Sequence, residues 1–145
     1  MAIPRRRFAG TVLTAMPEVI QPKGWARPSG YAHGVLATGR VLAIAGQIGA
    51  DGDGRLVSSD LVGQVDRALA NVAEVIGAAD GRIDDVVAMT IYVLDRGAYL
   101  SARAAIGEVW RRRMGRHYPA LTLVEVAGLV AAGAVVEISA LAVLP

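Results

Sequence analysis

The chain has 145 residues and a formal charge of +2 at neutral pH, and it is 54% hydrophobic before its 17 glycines are counted. An ordinary domain is about 45–50% apolar with glycine included. With only 19% charged residues, the composition excludes disorder and predicts one domain with apolar surface left for sister subunits.

Taken in chain order, Arg5-Arg6-Arg7-Phe8 and the apolar run behind it imitate the start of a twin-arginine export signal. That run ends after about eight residues at Pro17-Glu18, the short limit for such a segment. Residues 1–23 are therefore expected to form an irregular arm or an extra strand, and residues 1–30, with four of the six prolines, are mostly irregular. Next come Val35-Leu36-Ala37-Thr38 and Val41-Leu42-Ala43-Ile44-Ala45, separated by Gly39-Arg40, which predicts a tight hairpin. Asp51-Gly52-Asp53-Gly54 superficially suggests a calcium loop, but no glutamate follows at the required spacing.

Ser58-Ser59-Asp60 supplies a helix N-cap ahead of Leu61, Val65, Leu69, Val72 and Ile76, which recur every three or four residues, and the helix is expected to end at Gly81. Residues 86–94 form a nearly continuous apolar strand, which suggests cover on both faces. Asp95 opens a second helix to about Met114, with Tyr99, Ala102, Ile106, Val109 and Trp110 inward. Residues 121–145 are long enough to span a bilayer. They carry Glu125 and Glu137 and are interrupted by Gly128 and Gly133. A carboxylate at a membrane centre costs roughly 2.5–3.5 kcal/mol, so two strands at 120–127 and 134–143 are the better reading. The order ββαβαββ makes one α+β domain over 1–145, with two helices on one sheet face and the other face against sister subunits.

Few residues can carry chemistry. With no cysteine, disulfides, thiolate nucleophiles, iron–sulfur clusters and cysteine-ligated zinc are excluded. His33 and His117 are too few for a three-histidine metal site within one chain. Lys23, the single lysine beside fourteen arginines, sits in a proline-rich stretch unsuited to a Schiff base. The charge of +2 argues for no polyanionic partner, despite a pI near 9.4. Glu137, inside Val135-Val136-Glu137-Ile138-Ser139-Ala140-Leu141, is a carboxylate among apolar neighbours and must be paired, hydrogen-bonded or functional, unless it faces water at an edge. Glu125 poses the same question with a more structural leaning. Arg111-Arg112-Arg113, with Arg116 and His117, reads as a solvated helix end suited to the dipole, or else as an RNA or phosphate contact. Tyr31 follows Pro28-Ser29-Gly30, a turn that could present a phenol to a cleft.

The run His117-Tyr118-Pro119-Ala120-Leu121-Thr122-Leu123-Val124-Glu125-Val126-Ala127-Gly128-Leu129, followed by Val135 to Val143, resembles the signature of the RidA family, also called YjgF or L-PSP. Gly30-Tyr31, Ala45-Gly46-Gln47-Ile48, residues 64–72 and residues 87–93 continue the resemblance, which covers about residues 24–145. It implies a chorismate-mutase-like α+β fold, a cytoplasmic homotrimer with clefts between subunits, and no cofactor or metal. It also implies hydrolysis of reactive enamines and imines to ketoacids and ammonia, while the small net charge and the glutamates within 121–145 argue for no nucleic acid and no membrane as partner. The family's glutamate matches Glu137 and its tyrosine matches Tyr31. Where the family carries a carboxylate-binding arginine this chain has Leu121, and where it carries a serine before Gly-Gln this chain has Ala45. Losing the guanidinium removes a contact worth roughly 1.5–3 kcal/mol. The expected pocket, with Leu121, Ala45 and Leu123 as apolar wall and Arg103 as a conceivable replacement cation, suits a neutral or apolar imine, enamine or related electrophile. Two other readings stand beside it: a non-catalytic trimer that binds a small molecule as sensor or pathway accessory, and, behind that, RNA cleavage, an activity historically attached to part of the family.

Overall fold

Apolar residues spaced three and four apart from Leu61 build the longest helix, α1 (Leu61–Ala78). Its start follows the sequence reading: the Asp60 carboxylate accepts a hydrogen bond from the Gly63 N–H at 2.8 Å. The computed structural model describes residues 16–145, so the arginine-rich stretch at 5–15 lies outside the described residues. Strands β1 (Glu18–Ile20) and β2 (Gly34–Leu36) form a small antiparallel ribbon. Strands β3 (Arg40–Ile48), β4 (Val86–Val93), β5 (Ala120–Glu125) and β6 (Val136–Leu144) form a four-stranded sheet in the order β3-β6-β4-β5. β4 and β5 run parallel, and the other pairs are antiparallel. Between β4 and β5 the chain passes through α2 (Arg96–Ser101) and α3 (Arg103–Met114).

The core lies between this sheet and the helices. Val65, Leu69, Val72 and Ile76 of α1 and Ile106, Val109 and Met114 of α3 pack on Met89, Ile91, Val136 and Ile138. Along β4 and β6 burial alternates, so one face is covered by the chain's own helices. The opposite face presents Thr90, Tyr92, Glu137, Ser139 and Leu141, and among the described residues no helix covers it. The double-sided apolar strand expected at 86–94 is therefore buried on one side only by the described residues. Residues 121–145 contribute two strands, and no helix among the described residues is long and apolar enough to cross a membrane.

Three local expectations are corrected. Val35–Thr38 and Val41–Ala45 do not form a hairpin, because β2 pairs with β1 while β3 pairs with β6. Gly39 answers to packing instead, since a Cβ there would run into the Leu144 carbonyl. The helix at 61–78 is closed by Asp80, which takes the left-handed conformation at φ 62°. Gly81 is needed for close approach: a Cβ there would come within 2.8 Å of Leu144 Cδ2. The single helix expected from Asp95 to Met114 is broken at Ala102, although Asp95 does cap it by accepting from the Ala98 N–H at 2.9 Å. The loop at 51–54 is an Asx turn, with Asp51 Oδ1 accepting from the backbone N–H groups of Asp53 and Arg55.

The arginine cluster is partly internal. Arg113 donates to both carboxylate oxygens of Asp66 at 2.7 and 3.2 Å, Arg112 donates to one at 3.2 Å, and Arg111 pairs with Glu108. Asp66 thereby ties α1 to α3. The hydrogen bond from Arg113 holds its carboxyl below the ordinary value of 3.8, against an opposing effect of burial. A depressed carboxylate stabilises the fold above its unfolded pKa and loses that contribution as pH falls through the folded value. Asp66→Asn should lower stability by about 0.5–1 kcal/mol at neutral pH, given how exposed the pair is. The gap from wild type should close below about pH 3.8, as read by urea unfolding across pH; an equal deficit in acid would show that the charge is irrelevant.

Candidate active site in two separated halves

Glu137 projects from β6 onto the open face, directly across from Tyr92 of β4 and Ile48 of β3. Next to it β3 bulges: Ile44 pairs with Ala140 and Gln47 with Ile138, so Ala45 and Gly46 together face the single residue Ser139. The bulge sets bare Gly46 backbone against the glutamate, and a Cβ at Gly46 would overlap Glu137 Oε1. A concavity of about 290 Å³ opens here, lined by Gly46, Tyr92, Val126, Leu129, Glu137 and Ser139. Among the described residues, the Glu137 carboxylate has no hydrogen-bond or ion-pair partner (the bonds that are present leave it facing the concavity).

The other predicted residues gather elsewhere. Leu121 and Leu123 lie in register with Met89 and Ile91, whose side chains are covered by the helices, and both leucines pack on the core. With Tyr31 and Arg103 they line a groove of about 480 Å³ between α3 and the sheet edge at β5. Tyr31 is brought there because the Ala32 N–H donates to the Pro119 carbonyl at 3.0 Å. Its ring is held edge-on to His33 at 5.4 Å, and His33 is held in turn by Trp25 at 5.0 Å. Ala45 is exposed beside the Glu137 concavity. Within one subunit, then, Glu137 and Ala45 belong to one half and Tyr31, Arg103, Leu121 and Leu123 to the other, on opposite faces of one sheet.

The other residues that raised questions are structural. Glu125 Oε2 accepts from the Arg96 N–H at 2.7 Å, fixing the start of α2. His117 Nε2 lies 2.7 Å from the Val86 carbonyl oxygen, and Trp110 Nε1 donates to the His117 carbonyl. Sequence reasoning missed Tyr92 and Ser139 beside Glu137, and Tyr99, Trp110 and Tyr118 beside Arg103. Strand pairing was the absent signal: Tyr92 is placed by its register against Glu137, which no spacing along the chain announces.

Residues 25–144 match the model of the family described as Endoribonuclease L-PSP. The chain is similar to a RutC family protein, PH0854, of Pyrococcus horikoshii, at 32% identity over 79% of this chain and 88% of that one. It is also 32% identical to a goat (Capra hircus) protein named 2-iminobutanoate/2-iminopropanoate deaminase, over 78% and 79% of the two chains. A Yersinia pestis protein of unknown function from the conserved Rid protein family, YyfB, matches in structure with a TM-score of 0.80 at 32% identity. That match covers 90% of this chain and 100% of the other. A mixed sheet with its helices on one face, matched over 90% of the chain by a Rid family protein, defines a Rid-type α+β subunit. The chain belongs to the RidA family.

Proposed function

We propose that the chain works as a cytoplasmic homotrimer that hydrolyses a small imine or enamine in clefts between subunits, without a cofactor. The observation that carries this reading is the Glu137 carboxylate, without a partner among the described residues, facing a concavity on the sheet face that the described helices leave open. The relatives named as imine deaminases support the reaction class. Docking the β5 edge of one subunit on the open face of the next would join the two half-sites, which no single chain can do. In such a cleft water adds to the C=N carbon while Glu137 accepts its proton. Glu137 then returns that proton to nitrogen, giving the carbinolamine. A second transfer through the same carboxylate, from the carbinolamine hydroxyl to its nitrogen, lets the C–N bond break to leave a carbonyl and ammonia. Tyr31 hydrogen-bonds or packs on the substrate.

Leu121 and Leu123 make the wall around the reacting carbon apolar, so a substrate with no carboxylate at that carbon is preferred. The matching test is ammonia release from freshly generated imines paired by side chain, one with and one without the adjacent carboxylate. Wild type should accelerate the neutral member more, and Leu121→Arg should shift the preference toward the carboxylate by about tenfold or more, the equivalent of restoring roughly 1.5–3 kcal/mol. No acceleration of any imine would leave the second reading, a small-molecule-binding trimer, which Leu121 and Ala45 favour because both remove groups that grip an anionic substrate. Cleavage of RNA has least support, since Asp66 already occupies Arg112 and Arg113.

A further inference from the structure

The groove between α3 and β5 contains more than the apolar wall. Of the chain's one phenylalanine, two tryptophans and four tyrosines, four line this groove: Tyr31, Tyr99, Trp110 and Tyr118. Trp110 and Tyr118 are stacked parallel and offset, their ring planes within 4° and their centroids 5.8 Å apart. Two guanidiniums also line it, and they differ. Arg111 is paired with Glu108, whereas Arg103 has no hydrogen-bond or ion-pair partner among the described residues. Arg103 lies close enough to Tyr99 for its charge to oppose the upward push that burial gives the phenol.

Gly107, one helical turn beyond Arg103, faces the same groove. Glycine inside a helix is unfavourable relative to alanine. Among the described residues no packing requires it: apart from its own helix backbone, the nearest heavy atom to a Cβ there is Arg111 Nη1 at 3.9 Å. The space it leaves belongs to the groove.

We infer that this groove binds an aromatic carboxylate, with the acid on Arg103 and the ring among Tyr31, Tyr99 and Leu121. The inference rests on the imine-hydrolase reading for the groove's use and deepens it by naming a substrate class. The anion is carried at a distance from the reacting carbon, on the helix side, while Leu121 keeps the carbon's own surroundings apolar. A guanidinium beside aromatic faces suits such a ligand through charge-assisted hydrogen bonds and ring stacking together.

The test is calorimetric titration of the intact protein with trans-cinnamate, cinnamamide and propanoate. Cinnamate should bind, and cinnamamide and propanoate should bind at least tenfold more weakly. Arg103→Leu should weaken cinnamate binding about tenfold or more, with Arg103→Lys partly restoring it. Gly107→Leu should fill the groove and block all three ligands while leaving α3 a better helix former. Equal binding of cinnamate and cinnamamide, or unchanged cinnamate binding by Arg103→Leu, would overturn the inference; so would cinnamate binding that survives Gly107→Leu. Because no turnover is measured, the two ideas fail separately. Arg103-dependent binding without imine hydrolysis would retire the hydrolase alone, and hydrolysis with Arg103-independent binding would retire the inference alone.

Discussion

Gln64→Leu should destabilise the subunit by about 3–5 kcal/mol, the largest stability loss expected from one substitution outside the hydrophobic core. Gln64 is fully buried, and its amide serves three backbone groups. Nε2 donates to the carbonyls of Ser58 at 3.0 Å and Gly133 at 2.9 Å, and Oε1 accepts from the Val135 N–H at 2.9 Å. The side chain thus joins α1 to the segments on either side of it, the loop before the helix and the entry to β6. Leucine has nearly the same volume but would leave all three groups unpaired away from water, each worth about 1–3 kcal/mol. Gly49 closes the site: a Cβ there would fall 2.6 Å from Gln64 Cα, so the loop can press flat on the helix. Urea unfolding at fixed protein concentration, which holds any subunit association constant, reads the loss. A change below about 1 kcal/mol would show that water or a rearranged loop replaces the amide.

Gln64 also shows where sequence reading stops. The apolar period of α1, the Asp60 cap, the strand at 86–93 and the two strands at 120–125 and 136–144 were legible because each depends on local spacing and capping chemistry. The false hairpin at Gly39-Arg40 came from the same local logic. Both flanking runs are strand-forming and glycine sits between them, yet β3 pairs with β6, about a hundred residues away in sequence. No turn signal could reveal that choice. Ala102 broke a helix whose periodicity continues through it, since inward residues on both sides keep the same face.

The site was legible in part for a similar reason. Glu137 stood out as a charge between apolar neighbours, and it does face a concavity, without a partner among the described residues. Glu125 stood out in the same way and proved to hold the backbone of α2, so the pattern identifies a carboxylate with a task without saying which task. The family resemblance grouped Glu137 with Tyr31 and Leu121, whereas register sets them on opposite faces. Alternation along β5 and β6 decides that: Leu121 aligns with helix-covered Met89, and Glu137 aligns with outward Tyr92.

The sharpest consequence for activity concerns Gly46. If Glu137 moves the proton during hydrolysis, Glu137→Gln should lower turnover by about 10²–10⁴-fold, the usual contribution of a positioned acid–base group. Gly46→Ala should approach the lower end of that range, about a hundredfold, with the carboxylate still present. The added methyl would overlap Oε1 and lie 2.8 Å from Cδ of Glu137, so something must shift. What shifts is the Glu137 side chain from Cγ outward, since Cγ too would lie 2.9 Å from the methyl, while the Gly46 backbone needs no left-handed conformation and accepts alanine without strain. Folding stability should therefore change by less than about 1 kcal/mol, while a displacement near 1 Å suffices for a hundredfold loss of rate. The fall should appear in kcat with KM little altered, since the groove proposed to hold the substrate body lies on the other half-site. A Gly46→Ala variant that turns over at the wild-type rate would mean that the proton is carried by a group other than Glu137 in this rotamer. A variant that loses rate and stability together would make Gly46 a folding requirement rather than a seat for the carboxylate.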